Sequence, residues 1–127
     1  MKKIEISILN KGNIEKATVE YDRNTGALFI TFSDQTKKTY SGLDVFRSFG
    51  LLRKEFSDIK FLCKGSKINV FPSAMSSSMS GGLVAYEMKL GEPDPEMVRI
   101  FDYEEHDLTS DIEEQVEFRE RWGDSLR

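Results

Sequence analysis

The chain has 127 residues, of which 39% are apolar and 31% charged, with nine Phe, four Tyr and one Trp. That is enough to bury one core in a single domain, 1–127, and too hydrophobic and aromatic for a disordered segment. A single cysteine, Cys63, excludes an internal disulfide and a cysteine-based metal site, and points to a reducing compartment.

The chain opens with Lys2 and Lys3, but no continuous apolar stretch follows as a secretory leader requires. Ile4, Ile6 and Ile8 instead alternate with polar residues, predicting a strand over 3–9. A second strand is expected near 14–21, after the break Asn10-Lys11-Gly12-Asn13. The turn Asp22-Arg23-Asn24-Thr25-Gly26 precedes Ala27–Phe32, a β-branched and aromatic third strand, and a shorter strand ends near Tyr40. Ser41-Gly42-Leu43-Asp44 fits a capping box opening a helix, whose apolar face is Leu43, Phe46, Phe49, Leu52, Phe56 and Ile59. Gly50 lies inside that helix at a cost of about 1 kcal/mol relative to alanine, which close packing of a neighbour would explain.

Two strands follow near 60–63 and 67–71, then a Ser/Met/Gly loop from Pro72 to Gly82 and a strand over Leu83–Leu90. Gly91-Glu92-Pro93-Asp94-Pro95 is read as a break, and Met97–Phe101 as the last strand. A terminal helix opens at Ser110, with Glu113 completing a capping box. No internal repeat is visible. The expected fold is α+β: a mostly antiparallel sheet packed with a central helix and a C-terminal amphipathic helix.

The net charge of −4 is divided end to end. Residues 1–91 hold 14 Lys/Arg against 9 Asp/Glu, which is +5, and residues 92–127 hold 4 against 13, which is −9. Such asymmetry speaks about partners rather than fold. Projected at about 100° per residue, Ile112, Val116, Phe118, Trp122 and Leu126 of the terminal helix share one arc that packs on the sheet. Glu113, Glu117, Glu120 and Asp124 fall on the opposite side, with Glu114 beside them and only Arg121 nearby. Like charges at these spacings repel by a few tenths of a kcal/mol per pair. Ahead of the helix, Asp102, Glu104, Glu105 and Asp107 extend the acidic surface. The stripe is either a solvated face or a docking surface for a basic protein partner, and it disfavours nucleic acid.

Catalytic and metal-binding readings find less support. Asp102–Asp107 lacks the Asp/Asn-Gly periodicity of a calcium loop, so no metal or other cofactor is expected. His106, the only histidine, sits among acids in a loop and is expected to be exposed rather than a general base. Cys63 is expected to be a small buried hydrophobe. Ser73–Gly82 has no Gly-Lys-Ser/Thr ending and precedes a strand, so a phosphate-binding loop is unsupported. It is either a flexible connector or an adaptable contact surface carrying Met75 and Met79. Lysines of the body are scattered over several strands, which leaves RNA or DNA binding a weak reading.

The stretches Lys64–Met75 (KGSKINVFPSAM) and Met79–Tyr86 (MSGGLVAY) resemble immunity proteins of bacterial contact-dependent growth inhibition and other polymorphic toxin systems. The similarity covers about residues 64–101. Those proteins share no common fold or catalytic motif, so no functional residue carries over. The resemblance implies a cytoplasmic, non-enzymatic protein that binds and neutralises the C-terminal domain of one cognate toxin, often a basic nuclease. From the charge pattern, Asp102, Glu104, Glu105, Asp107, Glu113, Glu117 and Glu120 are the candidate contacts, with Met75 and Met79 as a second patch. No membrane association is expected, since no apolar run approaches spanning length. The alternative is a small-ligand-binding or enzymatic module using loop 73–82.

Overall fold

The computed structural model describes residues 1–127 and has the expected α+β architecture. Strands β1 (Lys2–Asn10), β2 (Asn13–Asp22), β3 (Ala27–Thr31) and β4 (Lys37–Ser41) form an antiparallel meander, and β5 (Lys60–Phe61) pairs with the free side of β1. The strand order is β4-β3-β2-β1-β5. Its period-two pattern turns Ile6, Ile8, Ala17, Val19, Leu28 and Ile30 into the core. Lys11 and Gly12, both at positive φ (53° and 81°), make the two-residue turn that closes the Asn10–Asn13 pair.

Helix α1 (Val45–Glu55) lies on this sheet with Phe46, Phe49 and Leu52 fully buried. It starts three residues later than expected. Ser41 is taken by the β4 ladder opposite Ala27, and Asp44 is the cap, its Oδ1 accepting from the Arg47 backbone N–H at 2.8 Å. Leu43, expected on the apolar face, is therefore left outside the helix and 81% exposed.

A second antiparallel sheet contains β6 (Val70–Phe71), β7 (Val84–Lys89) and β8 (Glu92–Arg99), in that order. A 3₁₀ turn, Lys64–Ser66, joins β5 to β6 and shortens both expected strands. The break expected at 91–95 reduces to the turn at Gly91 (φ 82°), and β8 begins at Glu92. Pro93 and Pro95 are tolerated because β8 is the sheet edge, where one side needs no N–H partner.

The expected loop 73–82 is instead a short helix, α2 (Ala74–Ser80). Ser73 caps it by accepting from Ser76 N–H at 3.0 Å, and Gly81 ends it at φ 68°. Only glycine fits at 81, since a Cβ there would stand 2.6 Å from the Arg23 carbonyl oxygen.

The terminal helix, α3 (Ile112–Ser125), packs on β6, β7 and α1. Its cap is Asp111 rather than Ser110, with Oδ1 accepting from Glu113 N–H at 2.9 Å. Ile112, Val116, Phe118 and Trp122 pack against the core as projected, but Leu126 follows the last turn and is 38% exposed. Gly50 has the predicted cause: a Cβ there would lie 3.0 Å from Ile112 Cδ1, so the glycine admits α3 against α1.

One polar bridge anchors α3. Gln115 is fully buried; its Oε1 accepts from Arg53 Nη2 at 2.9 Å, and its Nε2 donates to the carbonyls of Gly65, Lys67 and Val70 at 2.9, 2.8 and 3.3 Å. Replacing Gln115 with leucine takes a partner from a buried guanidinium and from three carbonyls, of which the Lys67 carbonyl still accepts from the Val70 N–H at 3.1 Å. We expect Gln115→Leu to destabilise the fold by about 3 kcal/mol, measured as a lower urea midpoint. Glu117→Gln on the outer face should change it by less than about 0.5 kcal/mol.

Candidate functional site: an acidic helix face and its supports

The buried face of α3 is set by Ile112, Gln115, Val116 and Trp122, so Glu113, Glu114, Glu117, Glu120 and Asp124 face solvent. No lysine or arginine of the chain pairs with Glu113, Glu117 or Glu120. Glu114 accepts from the Thr109 hydroxyl, and Asp124 meets Arg127 at 3.5 Å. Arg121, the cation expected beside the stripe, lies over the Phe118 ring with its carbon 5.7 Å from the centroid. Arg119 lies over Phe71 in the same way, at 4.7 Å. Both basic residues of the helix interior thus lie over aromatic faces, and Glu113, Glu117 and Glu120 are left without a direct ion pair.

The preceding segment divides. Asp102, Glu105 and Asp107 are exposed, with Glu105 bonded to the Tyr103 hydroxyl at 2.8 Å. Glu104, expected on the same surface, is buried and belongs to a four-membered ion cluster instead. Its Oε1 lies 3.0 Å from both Lys64 Nζ and Lys67 Nζ, and Glu87 of β7 meets the same ammonium groups at 3.1 and 3.0 Å. The other Glu104 oxygen accepts from the backbone N–H groups of Glu105 and His106 at 2.9 and 3.0 Å. Glu104 therefore pins the 102–107 segment to the body, and its charge is spent inside the chain.

Burial works against that carboxylate, but the His106 N–H, the two ammonium groups and the Glu105 N–H outweigh it and hold Glu104 at about 2. Glu87 is lowered by the same lysines against the same opposition from burial. Lys64 is raised, chiefly by its bond to Glu104; Lys67 is raised by Glu87 and Glu104 although burial opposes it.

On α2, Met75 and Met79 are one turn apart and 71% and 75% exposed. Met79 and the exposed Leu43 line a shared cleft of about 530 Å³, with Arg47 and Ser77 at its wall. Of the serines around them, all but the exposed Ser78 are occupied. Ser76 donates to the Val84 carbonyl, Ser80 to the Ser76 carbonyl at 2.7 Å, Ser77 to Asp44 at 2.5 Å, and Ser73 caps the helix. These hydroxyls tie α2 to β7 and to the α1 cap, where a flexible connector or contact surface is expected from the sequence and a ligand-binding module is the alternative.

The remaining reactive side chains are dispersed. Cys63 is fully buried, which pushes its thiol up to about 12 and keeps it protonated at neutral pH. His106 is exposed, with Nε2 3.7 Å from Glu105. No three His, Cys, Asp or Glu side chains converge as a metal site would need.

Two residues that matter most here, Gln115 and Arg53, do not figure in the sequence reading. The helical projection that separates the stripe also puts Gln115 midway in the apolar arc, and Arg53 falls on the core face one turn beyond Phe49. The polar identity of both residues masks a signal that their positions carry.

Glu104 should leave a signature in acid. A lowered carboxyl pKa contributes stability that is present above the unfolded value of about 4.3 and is lost as pH falls through the folded value near 2. Glu104→Gln is expected to cost about 3 kcal/mol at pH 7. The gap between wild type and variant in urea midpoint should narrow steadily between those two pH values. A constant gap across that window is the contrary result.

Compared in sequence with protein-family models and with curated proteins, the chain matches none.

Proposed function

We propose that this chain is a non-enzymatic, cytoplasmic immunity protein that binds a cognate toxin domain directly and neutralises it. The observation that carries this reading is the outer face of α3, where Glu113, Glu117 and Glu120 lack any counter-charge from their own chain. Like charges at these helical spacings weaken the helix by a few tenths of a kcal/mol per pair, so their retention suits a partner that supplies the cations. The helix behind them is rigidly seated through Gln115 and through Ile112 against Gly50, which keeps the carboxylates preorganised.

A basic nuclease is the partner chemistry that fits. The acidic field accelerates encounter with a cationic surface, and carboxylates seated there compete with the phosphates that such an enzyme must bind. Asp102, Glu105 and Asp107 extend the field, while Glu104 serves by holding their segment in place. Met75, Met79 and Leu43 offer an apolar second contact able to repack against a partner.

The test is co-expression with the toxin domain encoded beside the gene, followed by binding at two salt concentrations. Glu113→Lys, Glu117→Lys and Glu120→Lys together should weaken binding at least about tenfold and flatten its salt dependence, mainly through a slower on-rate. Because all three side chains point to solvent, thermal stability should change little: relief of carboxylate repulsion offsets the loss of the Glu113 charge from the helix N-terminus, where an acid is favoured. Unchanged affinity and unchanged salt dependence would sink this docking surface.

A further inference from the structure

One cleft of the molecule lies away from α3. It has a volume of about 690 Å³ and is lined from four separate stretches: the start of β1, the end of β2 with its turn into β3, Leu83 just before β7, and Arg99 at the end of β8. Lys2, Arg23 and Arg99 bring three cations to it, and none of them pairs with a carboxylate anywhere in the chain. The one acid at the rim, Asp22, accepts from the Asn24 backbone N–H at 2.9 Å and so is partly engaged by its own turn. Tyr21 and Leu83, both half-buried, supply an apolar wall.

The fold holds these groups in place. Lys2 is set opposite Tyr21 by the β1–β2 register. Arg23 sits in a turn closed by the Gly26 N–H to Asp22 carbonyl bond at 2.8 Å, and Gly81 at the end of α2 presses against its backbone. Arg99 ends β8 opposite Val84, and the Ile100 N–H donates to the Leu83 carbonyl at 3.0 Å. Three cations share the cleft with a single carboxylate, Asp22, so a net positive charge remains there, and a bound anion removes the cost of their repulsion. Two are arginines, whose planar donor forks match phosphate oxygens. The volume lies within the range of small-ligand pockets, and the apolar wall gives such a ligand more than a charge to bind.

We propose that this cleft binds a mononucleotide: Arg23, Arg99 and Lys2 take its phosphate, and the space beside Tyr21 and Leu83 takes its nucleoside. The site is independent of the α3 face and of the toxin reading, since none of its lining residues lies on α3.

Titration of the full chain with AMP, followed by amide resonances and by thermal shift, tests this. The expected result is saturable perturbation centred on residues 2, 21–24, 83 and 99, with a raised melting temperature. Arg23→Gln with Arg99→Gln should weaken AMP at least about tenfold while leaving the melting temperature of the free protein unchanged or slightly raised, because both side chains are exposed and their mutual repulsion is relieved. Inorganic phosphate should perturb the same residues more weakly. No perturbation at AMP concentrations up to about 10 mM, or equal affinity in the double variant, overturns the site. Phosphate binding as tightly as AMP overturns the nucleoside assignment, and binding seen only with oligonucleotides overturns the small-ligand one.

Discussion

The structure turns on one buried cation. Arg53 is only 1% exposed, and no carboxylate pairs with it. Its guanidinium donates to the Thr109 carbonyl and to Gln115 Oε1, each at 2.9 Å, and rests over the Phe49 ring at 4.9 Å and the Phe46 ring at 6.0 Å. Burial lowers its pKa to about 10, which still leaves it charged at neutral pH. Removing a full charge from water is costly, so the neighbouring elements must be arranged to solvate it. Thr109 and Gln115 come from the C-terminal segment, and Arg53 from the central helix. These two bonds, which leave only the buried Nε of Arg53 without a partner, therefore fix α3 on α1.

Gln115 passes the constraint on. The same amide that accepts from Arg53 donates to three carbonyls between Gly65 and Val70, the stretch that also presents Lys64 and Lys67 to Glu87 and Glu104. Gly65 lets this stretch close on β8's end, since a Cβ there would fall 2.9 Å from Ile100 Cβ. Two polar networks, one centred on a lone cation and one on a cluster of two lysines and two glutamates, thus share a single short segment. Between them they seat the whole C-terminal third.

That seating sorts the charges. Asp44, Glu87 and Glu104 are absorbed into the body, where Arg47, Lys64 and Lys67 answer them. Glu113, Glu117 and Glu120 of the outer α3 face have no such answer, and neither have Lys2, Arg23 and Arg99 around the opposite-signed cleft. The fold converts a division of charge along the chain into two surface regions of opposite sign on different elements. Each is a standing electrostatic cost to the isolated chain, and each suits a different kind of partner.

Local pattern alone determined the meander, the core faces of α1 and α3, the Gly12 turn and the outward acidic stripe. Period-two and period-3.6 alternation record which side of an element meets the core, and that information is local. Gly50 was legible too, as a helical glycine awaiting a neighbour. Only the tertiary structure decided the fates of Ser73–Gly82, Glu104, Gln115 and Arg53. Serine is a weak helix former, and α2 exists because its hydroxyls bond to Val84 and Asp44, residues distant in sequence from it or held there by the fold. Glu104 reads as one more surface acid until Lys64 and Lys67, some 40 residues earlier in the chain, are folded onto it. Polar side chains carry no periodic signal of burial, because what makes their burial tolerable is a partner, and the partner's position is set by the whole fold.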